Sequence, residues 1–99
     1  MLQLDQLKPE DFEPLIGQSL IVEISGGGPL ACELTKVLRL PLHAVRANPP
    51  FALCLRGSRD RPLGQGMYAL LHPHHGRLDL FMVPIGPDNA GLCYEITFN

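Results

Sequence analysis

Leu92-Cys93-Tyr94-Glu95-Ile96-Thr97-Phe98-Asn99 is the stretch whose pattern decides the fold. Leu92, Tyr94, Ile96 and Phe98 alternate with Cys93, Glu95, Thr97 and Asn99, a period of two that puts every large apolar side chain on one face of a β-strand. That face must be covered by the rest of the protein. Working back from it, Gln65 to His72 and Leu78 to Ile85 read as two further strands. The breaker clusters His72-Pro73-His74-His75-Gly76 and Gly86-Pro87-Asp88-Asn89-Ala90-Gly91 join the three.

The same period runs through the first half. Leu20, Val22 and Ile24 face one way, Ser25-Gly26-Gly27-Gly28-Pro29 is a hairpin loop, and Leu30, Cys32 and Leu34 lie on the returning strand. Beyond Thr35 the alternation slips, because Val37, Leu38 and Leu40 cannot all share the face of Leu34. A bulge or strong bend near Lys36 is therefore expected. Pro41 to Pro50 reads as a long connection, Phe51, Leu53 and Leu55 as a short strand, and Arg56 to Gly64 as a second long loop.

The helical signal sits ahead of the strands. Pro9 suits a first helical position, with Glu10, Asp11 and Glu13 behind it, and Phe12, Leu15 and Ile16 fall on one face. Pro14 limits this helix to one or two turns, ended by Gly17. Such a helix would act as a lid. The expected fold is all-β and mainly antiparallel, a six-stranded meander closed into a small barrel or a sandwich, with one short N-terminal helix. Closure into a barrel is preferred because it removes exposed sheet edges. Residues 1–99 form one domain, 1–17 the helical lid and 18–99 the strands.

Composition sets outer bounds. A chain of 99 residues, 45% hydrophobic, 18% charged and with net charge −2, is a globular domain rather than a disordered segment. Leu2-Gln3-Leu4-Asp5 has neither a basic n-region nor an apolar h-region, and no apolar run approaches the roughly 18 residues of a membrane span. The expectation is a soluble cytoplasmic protein without membrane contact. Cys32, Cys54 and Cys93 are odd in number and lie within strands rather than in a Cys-x-x-Cys loop, so they read as reduced thiols.

Several motifs resemble functional signatures. Gly64-Gln65-Gly66-Met67-Tyr68-Ala69 has the Gly-x-Gly-x-x-Ala form of a dinucleotide fingerprint, but that motif needs a strand before it and a helix after it, and here a loop precedes and a β-pattern follows. Gly26-Gly27-Gly28 lacks the Lys-Ser/Thr of a phosphate loop. His72, His74 and His75 could chelate a metal or serve as acid and base near neutral pH; the competing reading is a polar hairpin turn. Cys54 or Cys93 paired with one of these histidines lacks a nucleophile signature. No catalytic residue and no cofactor is assigned.

Charge is unevenly placed. Asp5, Glu10, Asp11, Glu13, Glu23 and Glu33 face only Lys8 in residues 1–35, whereas Lys36, Arg39, Arg46, Arg56, Arg59 and Arg61 face only Asp60 in residues 36–61. Nucleic-acid binding is not expected, since the basic run lacks interleaved aromatics and the chain is acidic overall. Two readings stay open: the basic loops neighbour the acidic helix, or Arg56, Arg59 and Arg61 form a docking surface for a protein partner or a second copy.

One resemblance spans nearly the whole chain. Phe12, Leu15 and Gly17; Pro50, Phe51 and Leu53; Gln65, Gly66, Tyr68, Leu70 and His72; Val83, Pro84 and Gly86; and Tyr94, Glu95, Phe98 and Asn99 match the motifs of a family of small bacterial proteins carrying a domain of unknown function. The resemblance brings no catalytic residues with it. It implies a genomic setting beside phage-tail-like or tail-collar genes. The function expected is a non-enzymatic protein-binding or assembly module, an accessory of a phage-tail-like structure; the alternative is a small metal-dependent binder or enzyme centred on His72, His74 and His75.

Overall fold

The computed structural model describes residues 6–40 and 50–98. Most of the connection expected over Pro41 to Pro50 lies outside the described residues, as does Asn99 of the closing motif. Six strands form: β1 Ser19–Ile24, β2 Gly28–Arg39, β3 Phe51–Gly57, β4 Gly66–His72, β5 Gly76–Pro87 and β6 Leu92–Phe98. They close into an antiparallel barrel in the order β1-β2-β3-β6-β5-β4. Strands consecutive in the chain pair antiparallel within β1–β3 and within β4–β6, so the meander runs as two three-stranded halves. The segment from β3 to β4 crosses between them, since β3 neighbours β6 rather than β4.

Alternation places the core inside. Leu20 and Val22, Leu30, Cys32 and Leu34, Leu53 and Leu55, Leu70, Leu78, Leu80 and Met82, and Tyr94 and Ile96 are all buried and fill the interior. Small barrels have an interior filled by side chains. The slip after Thr35 is a bulge, since the β2–β3 register shifts between Leu34 and Lys36. Thr35 Oγ1 donates to the Cys54 carbonyl there at 3.1 Å. A second register shift, between Pro84 and Gly86, leaves Ile85 on the outside and Gly86 at φ +110°.

The two barrel ends are plugged by different segments. At the base, the described residues include two 3₁₀ turns, Pro9–Asp11 and Glu13–Leu15, rather than a continuous α-helix; Pro14, inside the second turn, has no N–H to donate to Glu10 and so bars an α-helix across both. Phe12 is fully buried against Phe51 and Phe98, which stack on each other at 4.4 Å. Leu15 is buried with it, while Ile16 is exposed and does not share that face. At the other end the crossing segment lies over the mouth. The Leu63 N–H donates to the Tyr94 hydroxyl at 2.9 Å, and Arg61 donates to the carbonyls of Gly27 and Pro29 at 2.7 and 3.2 Å. Among the described residues, no helix is long and apolar enough to cross a membrane.

Candidate functional site

His72 ends β4 two residues after Leu70, so alternation turns it inward, and it is buried. Phe12 meets its ring edge-on at 5.1 Å. His72 Nδ1 accepts the backbone N–H groups of His74 and His75 at 3.0 and 3.1 Å, and Nε2 lies 2.7 Å from the Asp11 carbonyl. Backbone N–H groups only donate and a carbonyl only accepts, so these bonds assign the neutral tautomer with its proton on Nε2. A metal on His72 would have to displace one of these backbone bonds. His75 Nε2 sits 3.3 Å from Asp11 Oδ1, His74 is exposed, and no group of three or more His, Cys, Asp or Glu among the described residues is placed to hold a metal.

This geometry makes stability depend on pH. Burial depresses the His72 pKa, against the pull of the Asp11 carbonyl. The unfolded chain therefore takes up the proton first as pH falls below the usual histidine value of about 6.5. The stabilisation is complete above that value and is lost between it and the lower folded pKa. Burial would raise the Asp11 carboxyl, but the Lys8 N–H at 2.9 Å and His75 outweigh it and hold the group below its usual range. Asp11 adds a second loss below about pH 3.9. Urea unfolding at pH 7.5 and pH 5.5 should show lower stability at the acid value; equal stability would mean that His72 is open to solvent.

The arginine segment sits at the opposite end of the barrel. Arg56 Nε and Nη2 donate to Asp88 Oδ2 at 2.9 and 2.6 Å, and Arg56 Nη1 lies 3.6 Å from Glu33 Oε1. Arg59 donates to the Asp88 carbonyl, and Arg61 to the β1–β2 turn as above. The acidic partners are thus Glu33 and, closer, Asp88, which sequence reading passed over as part of a turn. Asp88 Oδ1 also accepts the N–H groups of Ala90 and Gly91 at 2.8 and 2.9 Å. The available signal was Pro87-Asp88-Asn89, where an aspartate can cap the amides that follow it. The Arg56 guanidinium and these amides hold the Asp88 carboxyl far below its usual range. The acidic N-terminal turns meet Arg39 instead, with Glu10 and Glu13 at 3.7 and 3.2 Å.

The thiols are spread over the barrel. Cys32 lies in the core, where burial pushes its pKa to about 11. Burial also raises Cys54 and Cys93. Cys54 lies on β3, across the barrel from β4, and Cys93 is at the end opposite His72, so neither is paired with His72, His74 or His75 among the described residues.

A concave surface also lies on the outside. β1 and β4 pair only at Ile21–Leu71, Val22–Leu70 and Glu23–Ala69, and then part. A groove of about 590 Å³ opens above, with Ile24 and Pro29 on one bank and Met67 and Tyr68 on the other. Arg77 lies at its edge, 3.1 Å from Asp79 and 3.9 Å from Glu23. Met67 is 63% exposed and stands opposite Phe81, 48% exposed, with Ile85, 52% exposed, further along β5. Sequence reading did not single out this surface, because alternation marks these side chains as outward but not as neighbours.

Comparison with known families gives a match over residues 7–98 to the family described as "Domain of unknown function (DUF6916)", and the chain belongs to that family. No curated protein and no solved structure matches it.

Proposed function

We propose that this DUF6916 domain is a non-enzymatic protein-binding or assembly module of the bacterial cytoplasm, an accessory of a larger phage-tail-like structure. The observation that carries this reading is the exposure of Met67, Phe81 and Ile85 on one outer region of a barrel whose interior is filled by its own side chains. Exposed apolar clusters of this kind mark contact surfaces. His72 is occupied by backbone bonds at both ring nitrogens, which weighs against the reading centred on His72, His74 and His75. The phage-tail setting rests on the sequence resemblance alone.

Arg56, Arg59 and Arg61 are the other docking surface to be tested. Each is bonded within the chain, so Arg59→Glu with Arg61→Glu should lower thermal stability before it changes association. The expected result of affinity capture from a bacterial host is one protein, identified by mass spectrometry, that is retained by the wild type and lost with Phe81→Glu at unchanged melting temperature. Loss with the arginine variant alone, at unchanged melting temperature, would move the contact to the loop. Capture of nothing beyond the background would overturn the module reading.

A further inference from the structure

We infer that the parted seam between β1 and β4 receives an extended segment of the partner as an added β-strand, one that carries an apolar and a basic side chain. This rests on the module reading and names its site and chemistry. Gly66 to Tyr68 pair with β5 on one side, at Met82, Phe81 and Leu80, but β4 pairs with β1 only from Ala69 onward. The backbone of Gly66 to Tyr68 is therefore a sheet edge facing the groove. Strand addition to such an edge is a recurrent mode of peptide recognition, in which main-chain bonds give affinity and alternate side chains give specificity.

A stretch of β5 left unpaired on one side is guarded. β5 runs beyond its pairing with β4, from Val83 to Pro87, and that stretch carries Pro84, Pro87 and a bulge. Proline and bulges on an edge prevent unwanted pairing. Gly66 to Ala69 contains neither proline nor charge. The stretch that faces the groove has neither guard.

The walls of the groove specify the added strand. Met67 on the outer face offers an apolar surface to one of its side chains, and Ile24 on the core-side face offers one to the next. Glu23 and Asp79 outnumber Arg77, and Glu23 is held only at 3.9 Å, so a Lys or Arg of the incoming strand would complete the charge. Gly66 to Tyr68 is a short edge, about 10 Å at roughly 3.4 Å per residue, which suits a peptide rather than a second complete sheet.

The test selects binders from a displayed library of random dodecapeptides and measures the best one, as a synthetic peptide, against the full chain. The expected result is a selected peptide that alternates apolar and basic residues and slows hydrogen exchange at those amides of Gly66, Met67 and Tyr68 that point away from β5, the alternate ones of the three. Glu23→Lys with Asp79→Lys should weaken its binding at least about tenfold, the scale of one lost charge-assisted contact, while the melting temperature stays near that of the wild type. Selection of peptides without basic residues, protection confined to other strands, or binding unmoved by the charge reversal would overturn the proposal. Failure to select any peptide would overturn it too, as would those amides becoming protected only on self-association seen by light scattering. If the native partner is still lost with Phe81→Glu in any of these cases, the module reading stands without the strand addition.

Discussion

A chain ending at Gly91 should fail to fold. β6 pairs with β3 from Phe51–Phe98 to Gly57–Leu92 and with β5 from Val83–Glu95 to Pro87–Leu92, so its loss opens two ladders at once. It also removes Tyr94, Ile96 and Phe98 from the core and the hydroxyl that holds Leu63. Buried Ile or Phe truncations each cost about 2–5 kcal/mol, and a domain of this size is stable by only about 5–15 kcal/mol. The expected spectrum is that of an unfolded chain, without the β signature or cooperative melting of the full-length protein. A soluble truncation that melts cooperatively would show that β6 is peripheral.

The second large effect is expected far away in sequence. Phe12→Ala should destabilise the fold by about 3–5 kcal/mol, the usual cost of deleting a buried phenylalanine. The ring is fully buried, with centroids 5.9 Å from Phe51 and 5.8 Å from Phe98 and its contact to His72 at the base. Its removal leaves a void under the aromatic stack and exposes the His72 network to water. Urea unfolding monitored by circular dichroism measures the change; a loss below about 1 kcal/mol, the level of ordinary substitutions, would mean that the N-terminal turns only rest against the barrel.

The strands were legible because each half-buried strand writes its faces into the chain at a period of two. Leu92 to Phe98 carries that pattern without interruption, and the strand has those bounds. The slip after Thr35 likewise appeared as a bulge, because Val37 must return inward opposite Leu53. Strand order was less accessible, since alternation says which side chains face the core but not which strand lies alongside. Only the ladder of β3 on β6 shows that the segment after Gly57 has to cross the barrel mouth.

The candidate sites were less legible still. His72-Pro73-His74-His75 looks alike at each histidine; His72 is buried because it is the last residue of β4 and shares the face of Leu70, whereas His74 lies beyond the strand in the turn and is exposed. Arg56 and Asp88 are far apart in the chain, and only the adjacency of β3 and β6 brings the end of β3 to the turn that holds Asp88. The seam is harder again. It comes from where two strands stop pairing, and no residue type records that.

The division of the barrel into two three-stranded halves bears on how the protein is made and how it can go wrong. The outer strands of β1–β3 find their partners only on the outer strands of β4–β6, so the first half leaves the ribosome with both of its borders unsatisfied. Closure must wait for long-range contacts, which places folding in the slow, millisecond-to-second range of β-barrels. The crossing segment is then a hinge. Two chains that open there can each lend a half to the other and restore every ladder, so an exchanged dimer is the natural misassembly of this topology at high concentration.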